Sequence, residues 1–307
     1  MSPRALTLPK SYPGKEYWSA LKESVKSYDL LRSKGHNVRI LGPSSEGKGA
    51  QEFIKFMFTE EMESRRPEST LSLDINDSGM GHFAIMWPRD RFQVYGDMIF
   101  AQRGSESITR KILTALRFPP SVMIETSELG EGGLIVRAGK TLLISEAACK
   151  RGAAAIRRCE LECLRHRGYD IRFLPVELGF LSDILGAAKR PADHIDTEFG
   201  LAFTAKGNAL ACINPDYYWR FRGQIGRTIV ETWGIDSKTY IIPEEESSMA
   251  VNFISLPRGK VIMADGCPST QAFLERELGK ENVTVLPINP GIYLKGGGLR
   301  CMSNVIE

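Results

Sequence analysis

A cysteine, a histidine and three carboxylates stand out in this sequence by their neighbours and their spacing. Asp90 closes MWPRD, Glu131 lies in LGEGG, His194 and Asp196 share PADHIDT, and Cys301 follows three glycines in GGGLRCMSN. A cysteine becomes a strong nucleophile as its thiolate, and a bound cation nearby favours that form. An imidazole can hand a proton to a departing amine. Carboxylates grip a guanidinium through paired charge-assisted hydrogen bonds. These side chains suit attack on the carbon of a planar cation, provided that a fold brings them to one cleft. Taken singly, each is ordinary. A terminal cysteine is commonly structural, a glycine run makes a tight turn, and Asp90 can simply pair with Arg89 or Arg91.

The elements that must position these residues recur along the chain. FQVYGDMIFA (92–101), LIVRAGKTLLIS (134–145), LAFTAKGNALACI (201–213) and VNFISLPRGKVIMA (251–264) each read as two short strands around a turn. The turns fall at Gly96-Asp97, Gly139-Lys140, Gly207-Asn208 and Gly259-Lys260, and a helical stretch follows every one. The turn glycines lie 43, 68 and 52 residues apart, a spacing that suggests an array or a propeller of like units. Asp90, Glu131, Asp196 and His194 precede their own turn glycines by six, eight, eleven and thirteen residues. In a ring of such units, equivalent loops converge on one end of the axis. A fifth unit can be assembled from SYDLLRSKGHNVRILG and AQEFIKFMFTEEM at the front with NVTVLPINPGIYLKGGGLRCMSNVI at the back, which would protect the terminal sheet edges. An ordinary α+β domain with look-alike hairpins is the alternative.

WPRD, EGG, HIDT and GGGLRCMSN, in this order and with the hairpins between them, resemble the pentein superfamily over about residues 80–307. That superfamily holds arginine deiminases, agmatine deiminases, dimethylarginine dimethylaminohydrolases and glycine amidinotransferases. The resemblance implies a five-bladed α/β propeller with ββαβ repeats around a central channel. It implies one domain over 1–307, in which 1–80 would complete the ring with 283–307. It implies Cys301 as the nucleophile that forms a thiouronium adduct, and His194 as acid and then base. Glu131 would orient His194, and Asp90 and Asp196 would hold the guanidinium. The implied reaction is hydrolysis of arginine or a related guanidino compound. An amidinotransferase shares the first half-reaction and is the close rival. A non-catalytic binding protein of the same fold is the other rival, against which Cys301, His194 and Glu131 together argue. One departure is Leu134, which follows the two glycines where similar enzymes often read EGGD, so a supporting carboxylate is missing there. The arginines that would clamp an α-carboxylate have no secure match.

Composition sets the frame. The 307 residues are 42% apolar and 25% charged, the balance of a soluble globular protein. A net charge of +3 without a dense basic run gives no reason to expect nucleic acid as partner. No apolar stretch approaches the ~20 residues of a membrane span, and the start lacks a signal-like core, so a cytoplasmic protein is expected. The expected partner is a small guanidino substrate, with no metal or organic cofactor, and the oligomeric state is left open. The six cysteines read as free thiols, most of them buried. GPSSEGKG (42–49) imitates a phosphate-binding loop, but Gly49 stands where a hydroxyl residue would hold magnesium. Cys159, Cys163 and His166 imitate a metal cluster but read as buried helix-face thiols, with no second ligand pair at zinc spacing.

Overall fold

The structure, a computed structural model, describes residues 30–31, 33–34, 40–43, 70–73, 91–115, 122–125, 127–149, 156–175, 194–246, 248–287 and 299–300. A parallel pair, β1 (Ile40–Pro43) and β2 (Thr70–Leu73), comes first. Four modules of one design follow, each with an antiparallel hairpin, a helix, and a third strand parallel to the second. The first holds β3 (Phe92–Tyr95), β4 (Met98–Ala101), α1 (Glu106–Ala115) and β5 (Val122–Ile124). The second holds β6 (Ile135–Ala138), β7 (Thr141–Ser145), α2 (Arg158–His166) and β8 (Asp170–Leu174). The third holds β9 (Phe199–Phe203), β10 (Ala209–Ile213), α3 (Pro215–Trp233) and β11 (Lys238–Ile241). The fourth holds β12 (Ile254–Leu256), β13 (Lys260–Ala264), α4 (Pro268–Leu278) and β14 (Val283–Leu286). The ββαβ unit expected from sequence therefore occurs four times among the described residues, in a mixed α/β fold.

Local chemistry sets the module boundaries. Gly96 and Gly139 sit at φ +65° and +57° in two-residue turns, where a Cβ is disfavoured. Both α3 and α4 open on a proline, whose missing N–H falls where a helix offers no acceptor, and both stop at a glycine. Three details differ from the sequence reading. The last hairpin turns one residue early, on Arg258 and Gly259 at φ 64° and 73°, because Pro257 cannot donate to the ladder and ends β12. The second helix starts only at Arg158, where Glu160 accepts the Arg157 N–H at 3.2 Å and fixes its first turn. Val283–Leu286, grouped by sequence with the chain ends, pairs with β13 and completes the fourth module.

Three apolar clusters lie between successive modules. Tyr95, Met98 and Phe100 of the first meet Leu134, Ile135 and Leu142 of the second. Val136, Ala138 and Leu143 of the second meet Phe199, Leu201 and Ala211 of the third. Ala202, Leu210 and Cys212 of the third meet Val261, Met263 and Phe273 of the fourth. Adjacent residues of one strand, such as Leu201 and Ala202, thus serve opposite interfaces, as the two-residue period of a strand requires. With both faces covered, the strands read as nearly unbroken apolar runs. At the same time β9 lies against both β6 and β12, so the first strands of these modules come together. Loops that precede those strands are thereby brought near one another.

Of the five described cysteines, Cys212 and Cys267 are buried, Cys149 and Cys159 are exposed and Cys163 is intermediate. The expectation that most are buried does not hold, because α2 turns Glu160 and Leu164 inward and leaves Cys159 facing solvent. Among the described residues no group of His, Cys, Asp and Glu side chains could hold a metal ion, and no helix is long and apolar enough to cross a membrane.

One polar tie joins the third sheet to the fourth module. Lys238 on β11 donates to Glu277 on α4 at 2.5 Å, and this hydrogen bond holds the Glu277 carboxyl below the usual carboxylate range. A carboxyl whose folded value is lowered adds stability above its unfolded value and loses it as pH falls through the folded one. Lys238→Met is therefore expected to lower the urea midpoint modestly at neutral pH, with the gap to the parent narrowing at acid pH as Glu277 takes up its proton. A gap of equal size at both pH values would mean that the pair contributes nothing through its charge.

Candidate active site

Two loops, one before β6 and one before β9, bring Glu131 and His194 together. Glu131 lies between two single 3-10 turns, Glu128–Gly130 and Gly132–Leu134, with extended backbone at φ −90° and ψ 103°. Ser127 caps the first turn, its Oγ accepting the Leu129 N–H at 3.1 Å. This loop lies directly on the end of the β3–β4 hairpin: a Cβ at Gly130 would stand 2.3 Å from the Gln102 nitrogen. His194 opens another 3-10 turn, Ile195–Thr197, and Thr197 Oγ1 donates to the His194 carbonyl at 2.9 Å.

His194 Nε2 is 2.7 Å from Glu131 Oε1, and the two side chains are only 13% and 10% exposed. The imidazole lies over Gly133, where a Cβ would stand 2.2 Å from Nδ1. Glu131 Oε2 accepts from Gln102 Nε2 at 3.1 Å, and Gln102 Oε1 accepts from Arg91 Nη1 at 3.2 Å. The polarity of this chain of hydrogen bonds follows from its first member. A guanidinium can only donate, so Gln102 turns its oxygen to Arg91 and its amino group to Glu131. Glu131, as a carboxylate, accepts on both oxygens, and His194 donates through Nε2–H. In the neutral ring the lone pair is then left on Nδ1.

Asp196 shares the His194 turn and is fully buried. Asn252 Nδ2 donates to the Asp196 carbonyl at 3.1 Å and to its Oδ2 at 3.3 Å. On its other side Asn252 Oδ1 accepts the Arg300 N–H at 2.8 Å. Of the five residues singled out by sequence, the structure thus brings together Glu131, His194 and Asp196. Asp90 and Cys301 lie outside the described residues, each next in sequence to a described one, Arg91 and Arg300. Leu134 is fully buried among Tyr95, Phe100 and Leu129, so this position is apolar packing between two modules. Cys212 offers no rival thiol: burial, reinforced by the charge of Glu246, pushes it far above the usual range.

Sequence reasoning missed Gln102, Asn252 and the seat at Gly133. A signal existed for two of them. Gln102 follows the apolar MIFA directly and Asn252 interrupts the apolar AVNFISL, and an amide set against apolar neighbours, half-buried at 102 and buried at 252, is a hydrogen-bonding group in need of partners.

No family model and no curated protein matches the chain. Solved structures match over most of its length. A cysteine-to-serine mutant of dimethylarginine dimethylaminohydrolase from Pseudomonas aeruginosa, complexed with citrulline, is 20% identical over 98% of this chain and 94% of that one, with a TM-score of 0.56. An agmatine deiminase from C. jejuni is 16% identical over 94% of this chain and 89% of that one, with a TM-score of 0.57. An amidinotransferase of a saxitoxin biosynthetic pathway from Microseira wollei is 14% identical over 95% of this chain and 84% of that one, with a TM-score of 0.55. At such identity the likeness is one of fold alone: the chain shares the fold of these three enzymes.

Proposed function

We propose that this chain is a cysteine-dependent amidinohydrolase acting on arginine or a related guanidino compound. The observation that carries the reading is the enclosed His194–Glu131 pair, with Nε2 held 2.7 Å from Oε1. Asp90 and Asp196 hold the guanidinium nitrogens. The Cys301 thiolate attacks the central carbon, and the bond from that carbon to one nitrogen breaks as protonated His194 supplies the proton that lets it leave as ammonia. The remaining thiouronium is bonded to Sγ. Water then adds to the same carbon, His194 Nδ1 takes its proton, and the C–S bond breaks to return the thiolate. One guanidinium and one water become one ureido product and one ammonium ion. Glu131 stabilises the imidazolium and fixes its ring.

The reading extends to the whole chain. The parallel pair β1 and β2 matches the second and third strands of every other module. Helix α1 of the first module packs against β2. In this reading the pair belongs to a fifth module that the C-terminal segment would complete, closing a five-bladed propeller, and closure of that ring is what the reading requires for Cys301 to meet Glu131 and His194.

Transfer of the amidino group to an amine is the second reading, favoured by the likeness to the amidinotransferase fold. One experiment separates them. The protein is incubated with arginine, agmatine, methylated arginines or guanidinoacetate, with and without glycine, ornithine or lysine. Products are read by mass spectrometry beside Cys301→Ala. A ureido product that needs Cys301 is expected, whereas amidino transfer only with an acceptor would make the protein a transferase. Turnover surviving in Cys301→Ala would remove that residue as nucleophile. No turnover at all, with an inert Cys301, would leave a binding protein.

A further inference from the structure

We propose that Asn252 is a positioning residue that sets the distance between the guanidinium carboxylate Asp196 and the nucleophile Cys301. The inference rests on the reading of those two residues given above. Asn252 lies between a single 3-10 turn, Ser248–Val251, and β12, and it is buried. Its amide is used from both ends: Nδ2 holds the carbonyl and the carboxylate of Asp196, and Oδ1 holds the backbone N–H of Arg300, one residue before Cys301. The Asn252 carbonyl also accepts that N–H at 3.3 Å, and Arg300 Nη2 reaches the Arg137 carbonyl at 3.4 Å.

Asn252 itself has little freedom. Gly200 on β9 packs on its neighbours: a Cβ there would stand 2.5 Å from the Val251 carbonyl oxygen and 2.6 Å from the Phe253 ring. The amide is thus braced against the strand that continues from the His194 turn. A primary amide is the group that donates on one side and accepts on the other, which is what a carboxylate and a peptide N–H demand. Buried hydrogen bonds of this kind hold one geometry, because an unmatched partner has no water to turn to. Asn252 therefore couples the His194 turn, through Asp196, to Arg300, a link that the His194–Glu131 pair does not make. The pair sets the proton-transfer group, and Asn252 sets nucleophile against cation.

The test is site-resolved alkylation of the full-length protein with iodoacetamide, with and without arginine as protecting ligand. Cys149 and Cys159 serve as exposed internal references. In the parent, Cys301 is expected to react fastest and to be shielded by arginine. Asn252→Ala loses both sides of the amide and is expected to slow Cys301 roughly ten-fold or more, with the reference thiols unchanged. Asn252→Asp keeps the size and the acceptor facing Arg300 but sets a carboxylate against Asp196. It is expected to keep Cys301 reactive and lose the protection by arginine, and it decides the matter if Asn252→Ala does not fold. Parent-like rates and protection in both variants would overturn the inference. So would acceleration of the buried Cys212 and Cys267 alongside a slowed Cys301, since that is a general loosening of the fold. An inert, unprotected Cys301 in the parent would overturn the reading of the site, and this inference with it.

Discussion

Glu131→Gln is expected to lower turnover of a guanidino substrate by about 10³–10⁴-fold with little change in KM, the size of effect seen when an orienting carboxylate is made an amide. The hydrogen-bond chain gives the reason. Gln102 offers its amino group to residue 131 because its oxygen is committed to Arg91, 3.2 Å away. A glutamine at 131 must answer with its oxygen, which turns its own amino group toward His194 Nε2. Nε2 then has to accept, so the proton of the neutral ring moves to Nδ1, the nitrogen that should act as base. The variant keeps the shape and inverts the tautomer. Two measurements check this. Nitrogen-15 NMR of the histidines should report Nε2–H for His194 in the parent and Nδ1–H in Glu131→Gln. Adding Gln102→Ala to Glu131→Gln frees residue 131 to turn its oxygen to His194, so the double variant should recover roughly ten-fold over the single one. A double variant slower than Glu131→Gln, or an unchanged tautomer, would sink the account.

The repeat was legible in the sequence because each hairpin carries its own local marks. Gly96 and Gly139 must adopt positive φ, and the strands around them are apolar on both faces. Pairing between distant strands has no such mark, so Val283–Leu286 was assignable to its module only from its partner Val261–Ala264. The site divides along the same line. Glu131 and His194 stand in glycine-rich or charged loops where an acid or an imidazole is conspicuous. Leu134 looks like a lost carboxylate until its burial beside Tyr95 and Phe100 reveals a packing position. Gln102 lies 29 residues from Glu131 in sequence, and no local pattern announces that their side chains meet.

Gly133→Ala is the second substitution expected to stop the chemistry while leaving the protein folded. The glycine is there for space. A Cβ at 133 would stand 2.2 Å from His194 Nδ1 and 2.5 Å from both Cε1 and Cγ, far inside the ~3.5 Å that carbon contacts prefer. One side must give. The loop has little room to retreat, since Gly130 in the same loop already rests on the Gln102 backbone and residues 129–134 are buried. The ring therefore moves by about 1 Å and leaves its 2.7 Å bond to Glu131, a displacement of the size that costs roughly 10²-fold in rate. Overpacking of this kind lowers stability by about 1–3 kcal/mol, so a loss of activity alone would be ambiguous. Gly139→Ala separates the two effects. Gly139 sits at φ +57° with nothing within 4 Å of a new Cβ, so alanine there strains the turn by about 1–2 kcal/mol and leaves His194 untouched. The pair of variants should lose similar stability in urea, yet only Gly133→Ala should lose turnover. Equal activity in the two would mean that the ring over Gly133 is not the group that moves the proton.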